Sequence, residues 1–177
     1  MPSELVALYG PDGRPTGEVA DRARMRRENL RHAATHVVVR NPDGLVYVHR
    51  RTDTKDVYPG RYDFTAGGVL QAGEDPLESA HRELEEELGV TGVELVPLFE
   101  ADYADERTRF HAFCYECTTD GPVRWQPEEV AWGEWVTPAR LLELIEELPF
   151  MPDAVANLRP WLDSLGGVSG RPGRWTP

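Results

Sequence analysis

Lysine is nearly missing from this chain. Lys55 is the only one in 177 residues, and every other cationic side chain is arginine. Long apolar runs are missing too: none reaches the ~18 residues a membrane span requires, so no membrane partner is expected. The opening residues, MPSELVALYGPDG, lack the basic start and sustained apolar stretch of a secretory signal. Two cysteines, Cys114 and Cys117, are too few for a disulfide framework, and a reducing cytoplasm is the expected compartment. Positive charge is in deficit, with a formal net charge of −12, which argues against a general nucleic-acid binder. A small anionic ligand stays compatible, provided metal ions or a local arginine and lysine cluster offset the overall repulsion.

The length suits one compact domain with a sizeable core, and 40% hydrophobic residues suit a globular chain. Strands are expected at 5–9, 35–40, 45–51, 93–98, 108–117 and 132–136, with NPDG at 41–44 as a hairpin turn. RPTG at 14–17 reads as turn residues, 21–30 as a short helix or an arginine-rich loop, and RYDFTA at 61–66 as extended. Thr137 followed by Pro138 starts a helix to about 148, and a second helix covers about 153–165. The expected fold class is α/β, a mixed sheet with helices on both faces. Residues 1–165 form one domain, with the N-terminal strand or hairpin of 1–34 packed on it. The Gly- and Pro-rich stretch 166–177 is expected to be a disordered tail.

The segment GGVLQAGEDPLESAHRELEEELGV, Gly67 to Val90, is the most informative. Asp75 suits an N-cap, Pro76 the first helical position and Glu78 the capping pattern, while Gly89 ends the helix. At 100° per residue, Leu77, Ala80, Leu84 and Leu88 fall within roughly an 80° arc that faces the core. Glu83, Glu86 and Glu87 crowd a neighbouring arc about 100° wide. A solvated face is the usual meaning of such a run, but the mutual repulsion of three carboxylates makes better sense on a ridge for hard divalent cations.

Gly68, Glu74 and then Arg82-Glu83-Leu84-x-Glu86-Glu87-x-Gly89-Val90 resemble the Nudix box at every defined position. A chance match is on the order of one in a billion per start position. The resemblance implies a Nudix α/β/α sandwich with the mixed sheet between helices. It also implies magnesium, with manganese as a substitute, held by Glu83, Glu86 and Glu87; one of these also activates water, families differing on which. Arg82 would orient a glutamate through a bidentate contact, Glu74 would brace the loop before the helix, and Gly67 would lend a backbone carbonyl to the metal. Gly68 and Gly89 would be structural. A further metal carboxylate often follows the central strands; Glu128 and Glu129 are candidates, Glu129 preferred, against a capped exposed turn.

Upstream, HRRTDTKDVYPGRYDFTAGG is similar to the Nudix branch containing isopentenyl-diphosphate isomerase, and by that resemblance Arg51 and Lys55 contact a diphosphate. The isomerase itself matches poorly. Its catalytic cysteine falls at Gly67, its metal-binding histidine position is also changed, and His32 lacks a partner histidine because Met25 stands there. The isomerase-like hydrolases are favoured. The expected activity is metal-assisted attack of water on phosphorus in a nucleoside di- or triphosphate, or a related nucleoside diphosphate compound, by a pyrophosphohydrolase. A nucleotide-binding sensor without turnover is the alternative from another class. The partner is then a small diphosphate substrate, with a homodimer left open.

Other residues receive blander readings. Cys114 and Cys117 lie three apart on a strand, pointing to opposite faces, so packing is expected rather than zinc. Trp125, Trp132 and Trp135 are read as core rather than as base-stacking surfaces, Arg107 and Arg109 as strand-edge salt bridges rather than phosphate contacts, and Arg22 to Arg31 as a solvated helix rather than a substrate or partner contact.

Overall fold

The structure is a computed structural model and describes residues 4–166. The stretch expected to be a disordered tail lies, from residue 167 onward, outside the described residues. Among the described residues nine strands and four helices follow one another as β1 (Leu5–Tyr9), β2 (Pro15–Asp21), α1 (Arg22–Arg27), β3 (His32–Arg40), β4 (Val46–Arg51), β5 (Tyr62–Asp63), β6 (Thr65–Ala66), α2 (Pro76–Leu88), β7 (Val96–Ala104), β8 (Arg109–Thr118), β9 (Val130–Val136), α3 (Pro138–Glu147) and α4 (Pro152–Gly166). No helix among the described residues is long and apolar enough to cross a membrane.

The central strand β3 pairs in parallel with β8 along its whole length, from His32↔Phe110 to Arg40↔Thr118, and β7 continues that side antiparallel. On the other side β3 meets β4 at Arg40↔Val46 only, after which the two strands splay. The segment Tyr62–Ala66 bridges the splay. Its first half pairs with β4 (His49↔Asp63) and its second half with β3 (Val37↔Ala66). β9 pairs with β4 on the outer side. The result is the mixed sheet of the expected α/β class, opened along one seam.

Helices cover both faces. Val37, Val39, Tyr47 and Ala66 pack against Ala80, Leu84 and Leu88 of α2. Ala34, Val38, Val48 and Phe110 pack against Leu141 and Leu144 of α3 and Leu158 and Leu162 of α4. The two cysteines belong one to each layer, Cys114 with α3 and α4 and Cys117 with α2, both buried and both unbonded. Odd spacing on a pleated strand has this consequence.

Three local expectations differ from the structure. RPTG does not stay in the turn, because β2 starts at Pro15 and pairs with β1. Its first five residues are all exposed, so hydrophobic alternation gives no signal, and a leading proline is tolerated on such an edge. The strand expected at 93–98 is β7 at Val96–Ala104, where Phe99, Ala101 and Tyr103 alternate inward with Glu100, Asp102 and Ala104 exposed. Finally, Leu77 is 41% exposed although it shares the angular position of Leu84 and Leu88. Its exposure is therefore axial, the first turn of α2 running past the layer beneath.

Candidate active site

Asp75 accepts a hydrogen bond from the Leu77 amide and Gly89 closes α2 at φ 63°, in the left-handed region that favours glycine. Between these caps the ridge carboxylates lie in a cleft of about 530 Å³ at the seam of the sheet. Glu87 is buried, Glu83 is 13% exposed at the side chain and Glu86 58%. The loop after β6 closes over them. The Gly67 amide donates to Glu87 Oε2 at 3.2 Å, and a Cβ on Gly68 would stand 2.5 Å from the Glu83 carboxyl carbon. Gly67 itself lies against β3, where any Cβ would overlap the Thr35 carbonyl, 2.7 Å from its carbon.

Arg82 organises the ridge, by a pattern that spacing did not indicate. Its bidentate contact is to Glu74, Nε to Oε1 at 2.8 Å and Nη2 to Oε2 at 3.0 Å. Its remaining nitrogen, Nη1, reaches Glu83 at 2.7 Å and Glu86 at 3.3 Å. Glu74 also accepts from the Gln71 amide, tying the loop to the helix.

Cations stand around these acids. Arg51 comes from the end of β4, Lys55 from the following loop, and Arg22 and Arg26 from α1, all lining the cleft. Lys55 is paired with Glu129, whose turn is held by Thr52, its amide to the Glu129 carbonyl at 3.2 Å and its hydroxyl to the Glu128 carbonyl at 2.9 Å. Arg51 Nη2 donates to the Val57 carbonyl at 3.1 Å. Arg22 and Arg26, for which the sequence favours a solvated helix over a substrate or partner contact, line the cleft. Arg26 contacts Asp56 at 3.5 Å and Arg22 contacts Glu4 at 3.0 Å. Their alternation with other arginines hides them, and only the packing of Met25 against the β1 hairpin aims them inward.

Burial dominates the electrostatics. It pushes the Glu87 carboxyl up to about 8, reinforced by Glu83 and only partly offset by Lys55. It raises Glu83 as well, against the opposing Arg82. Desolvation likewise lowers the Lys55 ammonium. Two adjacent carboxyls therefore lack enough positive charge to ionise comfortably. Among the described residues no three acidic, histidine or cysteine side chains converge in a closed metal geometry, because Glu83 and Glu86 turn to Arg82. The donor set nonetheless fits a hard divalent cation: acidic oxygens, under-neutralised, in a cleft open to solvent.

The remaining candidates lie elsewhere. His32 lines the cleft, where burial lowers it to about 4 and Nδ1 bonds the Leu30 carbonyl at 2.9 Å. Arg109 donates to the Asn29 carbonyl at 2.6 Å and Arg107 lies over the Tyr58 ring, neither forming the expected strand-edge salt bridge. Trp132 and Trp135 pack edge-on against Tyr62 and Tyr47, and Trp125 against the α2 layer. His36, Asp63, Thr65 and Asp153 also line the cleft and were not singled out by spacing.

Comparison with known proteins agrees with this architecture. The chain is 42% identical over 143 residues to the uncharacterized Nudix hydrolase YfcD of Escherichia coli strain K12, covering 81% of this chain and 78% of that one. It is 41% identical over 167 residues to the uncharacterized Nudix hydrolase orf19 of Rhodococcus erythropolis, covering 88% and 90%. The crystal structure of DR0079 from Deinococcus radiodurans superposes with a TM-score of 0.73 at 26% identity, over 92% of this chain and 99% of that chain. The NUDIX domain of NrtR from Shewanella oneidensis, solved with ADP ribose, shares the fold at 17% identity and a TM-score of 0.61, over 75% and 87%. The NUDIX domain matches residues 30–160, so the cleft built around α2 sits in a chain that belongs to the Nudix family and is a hydrolase of that class.

Proposed function

We propose that this Nudix hydrolase is a magnesium-dependent pyrophosphohydrolase that cleaves a diphosphate linkage in a nucleoside di- or triphosphate, or a related nucleoside diphosphate compound, by attack of water on phosphorus. The observation that carries this reading is Glu87. It is a buried carboxyl beside Glu83, insufficiently neutralised by the protein, and it faces a cleft also lined by Arg51, Lys55, Arg22 and Arg26. Glu83, Glu86 and Glu87 would hold the metal, with the Gly67 carbonyl and Glu129 as further donors. A bound divalent cation supplies charge neutralisation on phosphate and a more acidic water.

The protein's own groups do the rest. Arg82 holds Glu83 and Glu86 in place and Glu74 fixes Arg82. Arg51 and Lys55 bind the diphosphate, for which Lys55 exchanges its contact with Glu129. Gly68 lets the loop backbone lie directly over Glu83. The placement of Arg51 and Lys55 supports the isomerase-like hydrolase branch, while the overlap at Gly67 speaks against isomerase chemistry, which needs a cysteine there.

Phosphorus NMR of the protein with magnesium and a panel of nucleoside di- and triphosphates, nucleotide sugars, dinucleotides and isopentenyl diphosphate tests this reading. Cleavage of one class, abolished by EDTA, is expected; no cleavage of any member overturns it. With the cleaved substrate, Lys55→Met should raise KM roughly tenfold while changing kcat less, because it removes a phosphate contact made before as well as during reaction. A fall in kcat alone would assign Lys55 a different task.

A further inference from the structure

The glutamate ridge and the cations around it leave one corner of the cleft without a task. There His36 of β3 faces Asp153 of the first turn of α4, Nε2 to Oδ2 at 3.9 Å, and both residues are more than nine-tenths buried. Neither His36 Nε2 nor Asp153 Oδ1 has a hydrogen-bond partner within the protein.

Hydrogen-bond polarity tells what is missing. The Thr65 hydroxyl donates to Asp63 Oδ1 at 2.9 Å, which uses its one hydrogen. It can then only accept from His36 Nδ1, 3.2 Å away, so the ring hydrogen sits on Nδ1. Nε2 is left with a lone pair, and burial, which lowers the imidazole against the pull of Asp153, favours that neutral ring. A lone pair on Nε2 thus faces the Asp153 carboxylate, whose Oδ1 likewise has no donor within the protein. Buried acceptors of this kind are rare unless something supplies hydrogens.

We infer that this corner is a subsite for an amino group on the organic part of the substrate, an inference that rests on the diphosphate reading above. An amino group gives one hydrogen to Nε2 and one to the Asp153 carboxylate, whereas an oxo group in its place turns lone pairs toward both. The surrounding walls suit a flat or slender group. The Phe110 ring lies 5.8 Å from the His36 ring, centroid to centroid, and Tyr58 and Met151 add apolar surface. The amino group has two possible sources, an aminated nucleobase or an alkylamine, and the same chemistry recognises either.

Calorimetry on the full chain in EDTA separates them, using three pairs: cytidine against uridine 5′-monophosphate, adenosine against inosine 5′-monophosphate, and 2-aminoethyl against 2-hydroxyethyl phosphate. The amino member of at least one pair should bind about tenfold or more tightly than its partner, and the pair concerned names the source. Asp153→Asn, whose amide can itself donate to Nε2, should erase the preference. His36→Asn carries the same test from the other side of the gap, and circular dichroism checks that each variant folds. Equal or absent binding in all three pairs overturns the inference, as does a preference that survives both folded variants. Phosphorus NMR with magnesium reports hydrolysis separately. Cleavage without amino discrimination sinks the subsite alone, and amino discrimination without cleavage of any diphosphate sinks the hydrolase reading.

Discussion

Glu87→Gln is expected to lower kcat by roughly a hundred- to a thousandfold, the scale seen when a preorganised charge at a reacting centre is removed, and to make the metal-free protein more stable at alkaline pH. The glutamine keeps the carbonyl oxygen that accepts the Gly67 amide, so the helix and loop stay joined. What it loses is the buried charge. In the unfolded chain a glutamate ionises near 4.5, whereas in the folded protein this one is pushed up to about 8. Between those values the folded state holds a proton that the unfolded state has released, so raising the pH favours unfolding. The stability contributed by this group is complete below about pH 4.5 and is lost as the pH rises through 8. At about 1.4 kcal/mol per pKa unit the loss reaches a few kcal/mol. Thermal melts in EDTA at pH 5, 7 and 9 should therefore fall more steeply for the parent than for Glu87→Gln. Parallel melting curves would show that Glu87 is not the strained acid. Magnesium should raise the melting temperature of the parent at pH 8 by binding the folded state, and raise that of the variant much less.

Gly67→Ala should fail by folding, and Gly68→Ala by activity. At Gly67 a methyl group meets backbone: the Thr35 carbonyl belongs to the central strand, where the Thr35 amide already donates to the Gly68 carbonyl at 2.9 Å and fixes the register. Neither side can move without breaking β3 away from the loop. The expected cost exceeds about 3 kcal/mol, beyond ordinary overpacking. At Gly68 the methyl group meets the carboxyl end of Glu83 instead. That side chain can swing aside, so the variant should melt close to the parent while hydrolysis falls, because Glu83 no longer points where Arg82 holds it. Denaturant unfolding and phosphorus NMR on both variants distinguish the two. A stable, active Gly67→Ala protein would show that the loop lies farther from β3 and would reopen that position to a cysteine.

Much of this was legible in the chain because it depends on neighbours along it. Asp75, Pro76 and Gly89 bound α2 through contacts within a turn or two, and a 3.6-residue repeat places Glu83, Glu86 and Glu87 on one ridge whatever surrounds the helix. The odd spacing of Cys114 and Cys117 puts them on opposite faces by pleat alone. The box from Gly68 to Val90 carries the family, and the lone lysine in RRTDTK the proposed phosphate contacts, for the same reason, since short segments hold them.

The packing of distant segments decided what local spacing left open. Helical angle alone sets Glu87 nearest the core-facing arc and Glu86 farthest from it, but only the loop at Gly67, folded back from outside the helix, seals Glu87 and makes it the acid most opposed to ionising. Arg82 divides its nitrogens among three carboxylates because the loop folds Glu74 back onto the helix, a contact eight residues apart that no helical repeat supplies. β2 exists because β1 offers it an edge, not because its exposed residues demand a strand. Arg22, Arg26, His36 and Asp153 enter one cleft only once α1, the seam of β3 and the start of α4 are brought together. Periodicity encodes which side of its own element a residue occupies; burial, unpaired acceptors and shifted ionisation arise from what another element places opposite it.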